Sequence, residues 1–353
     1  MQTICKDDSI LRCPLRLTVD LKTIETKRMT MTRALRICLL GATGTIGRAT
    51  AQALERQGHD VVCLVRQRWQ PTSSVPANFR VRVVDYGDVQ SIVQHGMLRE
   101  QFDAVISCMA SRTGISADAW AVDYSAQLAA LEAAKICQIP HFVLLSAICV
   151  QKPVLAFQHA KLAFENALIA SGVRYSIVRP TAFFKSLSGQ VERVRRGKPF
   201  LLFNDGQLTA CKPISDRDLA EYLVGCLSDQ KRWNMILPIG GPGPPVTPRQ
   251  QGEMLFQLMG RAPLFRSIPV RLLDHLIVAL SLGEKLFPPL RAKAELARIG
   301  RYYATESMLV LDQSTGRSDP AATPSTGSDS LFEHYRSLLS GADLPDRAEH
   351  AVF

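Results

Sequence analysis

Nowhere does this 353-residue chain approach the ~20 uninterrupted apolar residues that span a bilayer. The longest apolar candidate, Leu276–Leu282, ends at Gly283-Glu284-Lys285, and a protein integral to a membrane is not expected. The nine cysteines include no Cys-x-x-Cys pair, the closest two being Cys5 and Cys13, so zinc, a local redox couple and an iron–sulfur run are all disfavoured and no metal is expected. An odd cysteine count without pairing logic points to a reducing, cytoplasmic setting, with Cys38, Cys63 and Cys108 acting as small hydrophobes. No zinc-finger spacing, RNA-binding signature or basic–aromatic repeat accompanies the net charge of +10, so nucleic acid is not an expected partner. Finally, none of the seven tyrosines is followed four residues later by lysine. A phenolic acid tuned by a lysine on its own helix face is therefore missing, which disfavours ordinary alcohol–ketone interconversion.

What is present is a globular composition, 46% hydrophobic and 21% charged, with length enough for a large core. Residues 1–33 carry seven Lys/Arg against four Asp/Glu, and residues 316–353 carry three against six. The positive excess thus lies in the body of the chain, where it favours an anionic cofactor or substrate. Residues 1–33 show neither period nor signal-peptide core and read as a disordered extension or an over-long start, Met29 and Met31 lying just before the first strand. The stretch 316–330, rich in Ser, Thr, Pro and Gly, reads as a strap. It leads to a helix over Leu331–Leu339, capped by Ser330, that docks on the body before a frayed tail.

Between these ends, strand and helix patterns alternate in the manner of a doubly wound parallel α/β (Rossmann-type) sheet with a smaller C-terminal substrate-binding lobe. The boundaries expected are 34–230 for the dinucleotide-binding part, 231–315 mainly for the substrate lobe, and 316–353 for strap, helix and tail. Leu35–Leu40 is a strand suited to burial on both faces, and it runs into Gly41-Ala42-Thr43-Gly44-Thr45-Ile46-Gly47 and an amphipathic helix ending near Gly58. Gly41 permits the tight turn, Gly44 lets backbone amides approach a pyrophosphate, and Gly47 allows close helix–strand contact. Thr43, Thr45 and Ile46 complete this phosphate loop at the positive end of the helix. The second strand, Asp60–Val65, is followed by Arg66-Gln67-Arg68, and positions 61–70 hold no acid for a ribose 2′-hydroxyl. Arg66 instead suits a 2′-phosphate, so the cofactor expected is NADPH; Arg68 is as well read as a solvated side chain.

A third strand, Phe79–Val84, presents Asp85 toward the adenine, with Asp88 free to cap the next helix. A fourth, Ala104–Cys108, brings Met109 beside the cofactor; a helix around Tyr124–Cys137 and a fifth strand, Phe142–Ser146, follow. Phe157-Gln158-His159-Ala160-Lys161 occupies the helix after it, where Lys161 can hold the nicotinamide ribose. The sixth strand ends in Arg179-Pro180-Thr181-Ala182-Phe183-Phe184 at the sheet's carboxyl edge. There Pro180 and Thr181 border the cofactor, while Phe183 and Phe184 either flank the nicotinamide or belong to the core. His159 is either a proton donor or a solvent-facing side chain.

The segments GATGTIGRATAQAL (41–54), FQHAKLAFENALIASGVRYSIVRPTAFFKSLSGQVERV (157–194) and ATESMLVLDQSTGRSDPAATPSTGSDSLFEHY (304–335) carry a family resemblance. The chain resembles the atypical short-chain dehydrogenases that include NmrA-like and isoflavone-reductase-like proteins. More narrowly, over residues 34 to 340, it is similar to the NADPH-dependent divinyl chlorophyllide a 8-vinyl reductases of chlorophyll and bacteriochlorophyll biosynthesis. The resemblance implies hydride transfer from NADPH to the C8 vinyl group of a tetrapyrrole, with Lys161 in the catalytic site and Phe157, Phe183 and Phe184 near the substrate. The missing tyrosine is then intelligible: the vinyl group is conjugated to a macrocycle that delocalises the incoming charge, and carbon can be protonated afterwards. Competing readings are an isoflavone- or quinone-reductase-like enzyme, and a non-catalytic NADP(H) sensor or assembly factor.

For a large flat anion, Glu192–Lys198 and Arg291–Arg301 offer cations that either form solvated faces or pair with a propionate or acidic lipid. The apolar segment Leu272–Leu290 reads as a pigment-pocket wall, an element dipping into a membrane interface, or the core helix of the smaller lobe. Peripheral association with photosynthetic membranes is thus left open, and no obligate protein partner is expected.

Overall fold

A computed structural model describes residues 33–66, 79–284, 287 and 290–341. The expectations for residues 1–32, for Arg68, and for the tail past Gly341 lie outside these residues. Contacts divide the chain after Arg33, and the unit that begins at Ala34 holds every element below.

Five strands, β1 (Arg36–Leu40), β2 (Asp60–Arg66), β3 (Arg80–Val84), β4 (Ala104–Ser107) and β5 (His141–Leu145), start within one residue of the starts expected for them, and β6 (Arg174–Pro180) ends in the expected Arg179-Pro180 segment. Three more complete the larger elements: β7 (Phe200–Phe203), β8 (Met235–Ile239) and β9 (Phe265–Ile268). The main sheet runs β3-β2-β1-β4-β5-β6-β8, with every pairing parallel. Its last strand falls past residue 230. Successive β1 side chains explain why such strands read as continuous apolar runs. Ile37 and Leu39 enter one core with Ala51, Leu54, Leu219 and Leu223, whereas Cys38 and Leu40 enter a second with Met97, Leu131, Phe142 and Phe164.

The first core lies under α1 (Thr45–Arg56) and α4 (Asp216–Gly225), the second under α2 (Gln127–Ile136) and α3 (Ala156–Ala170). The helix expected around Tyr124–Cys137 begins earlier. Ser116–Ala119 is α-helical, Trp120–Ala126 widens into π-type turns, and α2 follows. Such wide turns commonly re-aim a functional side chain; here the segment carries the buried Asp123.

Residues outside the main sheet build a third core, in which Phe200, Leu202, Leu255 and Phe256 meet Leu331, Tyr335 and Leu338. These come from β7, from α5 (Pro248–Leu258) and from the terminal α8 (Leu331–Leu339). Ser330 caps α8 through the Glu333 amide and Tyr335 donates to the Leu187 carbonyl at 2.9 Å, so the docking helix is as expected. Between α5 and α8 lie α6 (Val270–Gly283) and α7 (Leu290–Thr305). The strap expected over 316–330 starts in a short hairpin, Val310–Asp312 with Arg317–Asp319, and then crosses to the sheet. Its Ser328 and Asp329 amides donate to the Asp218 carboxylate at 3.0 and 2.8 Å, at the start of α4.

One alternative fails: α6 contains no buried residue, so it is not a core helix. Leu272, Leu276, Val278 and Leu282 are exposed. The two basic runs are partly neutralised. Glu192 receives Arg195 at 2.7 Å and Arg196 at 2.6 Å, and Arg298 meets Glu295 at 2.9 Å.

Candidate functional site

The turn from β1 into α1 is built by backbone proximity. Gly41 has φ +76°, and a Cβ there would stand 2.7 Å from the Cys108 carbonyl. A Cβ on Gly47 would stand 2.0 Å from the Gly41 oxygen, so helix and turn touch main chain to main chain. Gly44, by contrast, would place a Cβ 3.5 Å from its nearest neighbour, in ordinary contact. Gly44 is also the N-cap of α1: no side chain caps the helix and its first turn carries no acid. The free amides of Thr45, Ile46 and Gly47 therefore fit an anion such as a pyrophosphate. Lys185 adds charge by donating from Nζ to Thr45 Oγ1 at 2.9 Å. Asp216 stands near: burial raises its carboxyl pKa, against the pull of Lys185 and Arg48.

Along the carboxyl edge, Arg66 ends β2 with an exposed side chain. Burial opposes ionisation of nearby Asp118, yet the Thr113 amide and hydroxyl, the Arg112 amide and the charge of Arg66 hold its carboxyl below the usual range. Asp85 accepts from the Gly87 amide at 2.8 Å through one oxygen, while Asp88 caps the next helix through the Gln90 and Ser91 amides. The Met109 carbonyl accepts from Gln127 at 3.3 Å, and Gln127 in turn accepts from Ser107 at 2.8 Å. That chain of bonds fixes the loop after β4.

Lys161 on α3 points inward. Its ammonium lies 2.9 Å from the Asp123 carboxylate, whose side chain is fully buried and which also accepts from the Ser111 hydroxyl at 2.6 Å. One turn further along α3, Glu165 accepts from Ser146 and pairs with Arg179, tying the ends of β5 and β6 together. Phe157 sits with Ala147, Ala182, Leu187 and Tyr303 on the half-exposed margin of a fourth apolar cluster that includes Ile148, Cys149, Cys211, Ile299 and Tyr302. His159 faces outward and is exposed, the solvent-facing alternative.

Pro180 is the last residue of β6, and Thr181 donates its amide to Ile239 at 2.9 Å and its hydroxyl to the Lys212 carbonyl. Phe183 packs against the first core, and Phe184 is 4% exposed in the third, its ring 5.2 Å from His334. The structure thus brings Gly41–Gly47, Arg66, Asp85, Met109, Lys161, Pro180 and Thr181 to one edge, with Phe157 on its apolar margin. Phe184 is placed in the core and not on that margin. Missed by sequence reasoning were Asp123 and Lys185. The only local hint was an acid in the apolar stretch WAVDYSA.

A family model described as NAD(P)H-binding matches residues 41–230. Over 334 residues the chain is 46% identical to the chloroplastic divinyl chlorophyllide a 8-vinyl-reductase of Oryza sativa subsp. indica, covering 90% of this chain and 82% of that protein. The chain belongs to the divinyl chlorophyllide a 8-vinyl reductase family. The photosystem II assembly factor Ycf39 of Trieres chinensis is more distant, 26% identical over 67% of this chain and 73% of its own length. Among solved structures, the NADPH-dependent quinone oxidoreductase QOR2 of Escherichia coli, complexed with NADPH, superposes with a TM-score of 0.62 at 15% identity over 86% of this chain and 99% of that one. That likeness shows the fold. For a member of this reductase family, the edge supplies an uncapped helix N-terminus, a lysine pinned by a buried acid, and an apolar margin, with no phenol–lysine pair on α3.

Proposed function

We propose that this chain reduces the 8-vinyl group of a divinyl (proto)chlorophyllide to ethyl, taking the hydride from NADPH. The observation that carries the reading is Lys161, locked to buried Asp123 at the carboxyl edge of an NAD(P)H-binding sheet without a neighbouring phenol. Such a site can orient a nicotinamide but has no acid on α3 for an alkoxide. It suits an acceptor whose conjugated ring system takes up the charge by itself.

Bound NADPH supplies the hydride, and the chain's residues hold it. The Gly41, Thr43, Gly44, Thr45, Ile46 and Gly47 turn receives the pyrophosphate, Arg66 the 2′-phosphate, and Asp85 the adenine through the oxygen that Gly87 leaves open. Met109, Pro180 and Thr181 border the nicotinamide, and Lys161 holds its ribose. Phe157 and the cluster margin receive the pigment, so that residues 34–230 bind cofactor while parts of 231–315 cover substrate. Exposed Leu272, Leu276 and Leu282 on α6 support action at the surface of a photosynthetic membrane. Among the described residues no helix is long and apolar enough to cross one.

Incubating the folded protein with NADPH and 3,8-divinyl chlorophyllide a tests the reading: the Soret band shifts as NADPH is consumed in equal amount. NADPH binding without any spectral change would overturn it in favour of a sensor or assembly role. The cofactor choice has its own test. Arg66→Ala weakens NADPH roughly 10–100-fold, the worth of a charge-assisted hydrogen bond, and NADH far less. Equal losses for both dinucleotides would remove the 2′-phosphate assignment.

A further inference from the structure

We infer that Lys185 binds the pyrophosphate of the dinucleotide; this rests on the NADPH reading above. The glycine turn by itself offers an anion only neutral donors, the Thr45, Ile46 and Gly47 amides at an uncapped helix start. A pyrophosphate brings two negative charges, and charge taken partly out of water is best met by a cation. Lys185 stands where that cation is needed. Its ammonium donates to Oγ1 of Thr45, the first residue of α1, at 2.9 Å. Two ammonium protons remain, and Thr45, accepting from the lysine, keeps its own hydroxyl proton to donate. Ammonium, hydroxyl and amides thus gather at one helix end. Both side chains are half-buried, so the charge acts through less water than it would on an open surface.

The fold brings the lysine there from a distant segment. Lys185 lies in the helical turn Phe184–Leu187 that follows β6. The Phe184 amide donates to the Ile214 carbonyl at 3.1 Å, and the Ile214 amide to the Ala182 carbonyl at 3.0 Å. The Phe184 ring, buried in the third core, anchors the same turn. With its backbone fixed in this way, only the side chain has to cross to α1.

Other cations along the edge are committed elsewhere. Lys161 pairs with Asp123, Arg179 with Glu165, and Lys152 with Glu306 at 2.7 Å, while Lys212 donates to the Thr323 carbonyl at 2.7 Å. Lys185 forms no ion pair among the described residues, its hydrogen bond going to a neutral hydroxyl. Asp216 is the acid near it. One Asp216 oxygen is buried with no hydrogen-bond partner among the described residues, and burial works against its ionisation while Lys185 and Arg48 favour it. The acid therefore draws the ammonium without occupying it.

Lys185→Met and Lys185→Gln both remove the charge, and the glutamine keeps a neutral donor. Two fragments separate the phosphates of the ligand: 2′-phospho-ADP-ribose carries the pyrophosphate without the nicotinamide, and 2′-AMP carries the 2′-phosphate without a pyrophosphate. In both variants NADPH and 2′-phospho-ADP-ribose bind roughly 10–100-fold more weakly, the usual range for loss of charge-assisted hydrogen bonds. By calorimetric titration, 2′-AMP binds within twofold of wild type. Unchanged affinity for 2′-phospho-ADP-ribose in Lys185→Gln would overturn the assignment. So would an equal loss for 2′-AMP, because a lysine that merely ties two loops together would disturb the whole site and not one group of the ligand. Should neither variant fold, the wild-type chain carries the test: 2′-phospho-ADP-ribose, but not 2′-AMP, shields Lys185 from acetic anhydride, read by peptide mass, and equal labelling with and without the pyrophosphate overturns the proposal. A folded wild-type protein that binds none of the three ligands instead refutes the NADPH reading itself.

Discussion

The three glycines of the β1–α1 turn have different reasons to be glycine, and alanine at each should separate stability from affinity. At Gly47 a Cβ would lie 2.0 Å from the Gly41 oxygen, 2.7 Å from its carbonyl carbon and 2.9 Å from the Ala42 Cα, all backbone atoms that cannot swing aside. Helix α1 must then lift from the turn. Overpacking of this kind destabilises by roughly 1–3 kcal/mol, and a few degrees of Tm accompany each kcal/mol in a chain this size. At Gly44 the nearest atom to a new Cβ is 3.5 Å away and φ is −79°, so Gly44→Ala should melt like wild type. The methyl group would nevertheless occupy the approach to the free α1 amides, and NADPH affinity should fall at least tenfold. Paired thermal melts and fluorescence titrations read both quantities. A Gly47→Ala protein with wild-type Tm, or a Gly44→Ala protein that binds NADPH normally, would refute the turn's assigned geometry.

Two other predictions concern buried charge. Asp123→Ala leaves the Lys161 ammonium facing an empty site with a side chain only 12% exposed; loss of one partner from a buried pair typically destabilises by about 3–5 kcal/mol. Urea denaturation should show the lower midpoint, and an unchanged midpoint would mean the pair is solvated. His141, 3% exposed and 3.1 Å from Ser176 Oγ, has its pKa pushed down from 6.5 to about 4, by burial first and by Arg174 second. Below pH 6.5 the unfolded chain takes up a proton that the folded chain refuses. Stability is therefore complete above that pH and declines as pH falls toward 4, by on the order of 3 kcal/mol from this group. His141→Gln should flatten the acid side of the Tm–pH curve, and an identical slope would contradict the assignment.

The doubly wound sheet was legible because strands buried on both faces leave continuous apolar runs, whichever core each side chain enters. Alternate residues of β1 do enter different cores, yet all of Ile37, Cys38, Leu39 and Leu40 are fully buried. The phosphate turn was legible for a related reason: Gly41 and Gly47 are demanded by backbone contacts within one short loop. Pairs made by the fold left no such trace. Asp123 and Lys161 meet only because the π-type turns and α3 pack together, and Lys185 reaches Thr45 across 140 residues. Apolar content alone also misled. Phe184 follows a ligand-edge segment but turns into the third core, whereas α6, rich in leucine, finds no neighbour for its outer face among the described residues. Composition reports how much surface an element wants covered, while its partner is decided by chain segments elsewhere.

That dependence on distant segments bears on how the site is assembled. The ends of β1, β2, β4, β5 and β6 are held by ladder hydrogen bonds, those of β6 to β8 included, and by the Glu165–Arg179 and Asp123–Lys161 pairs. The α7 side is positioned differently. Ile299 rests over Gly114 in the loop after β4, Tyr302 bonds to the loop after β5, and Gln151 in that loop exchanges bonds with Leu309 and Leu311 at 2.9 and 2.8 Å. From there the chain returns through the strap, where Lys212 donates to the Thr323 carbonyl at 2.7 Å and Gly240 donates to Pro324 at 2.9 Å. Tyr303 therefore owes its place to contacts that begin at sheet loops and end at the strap.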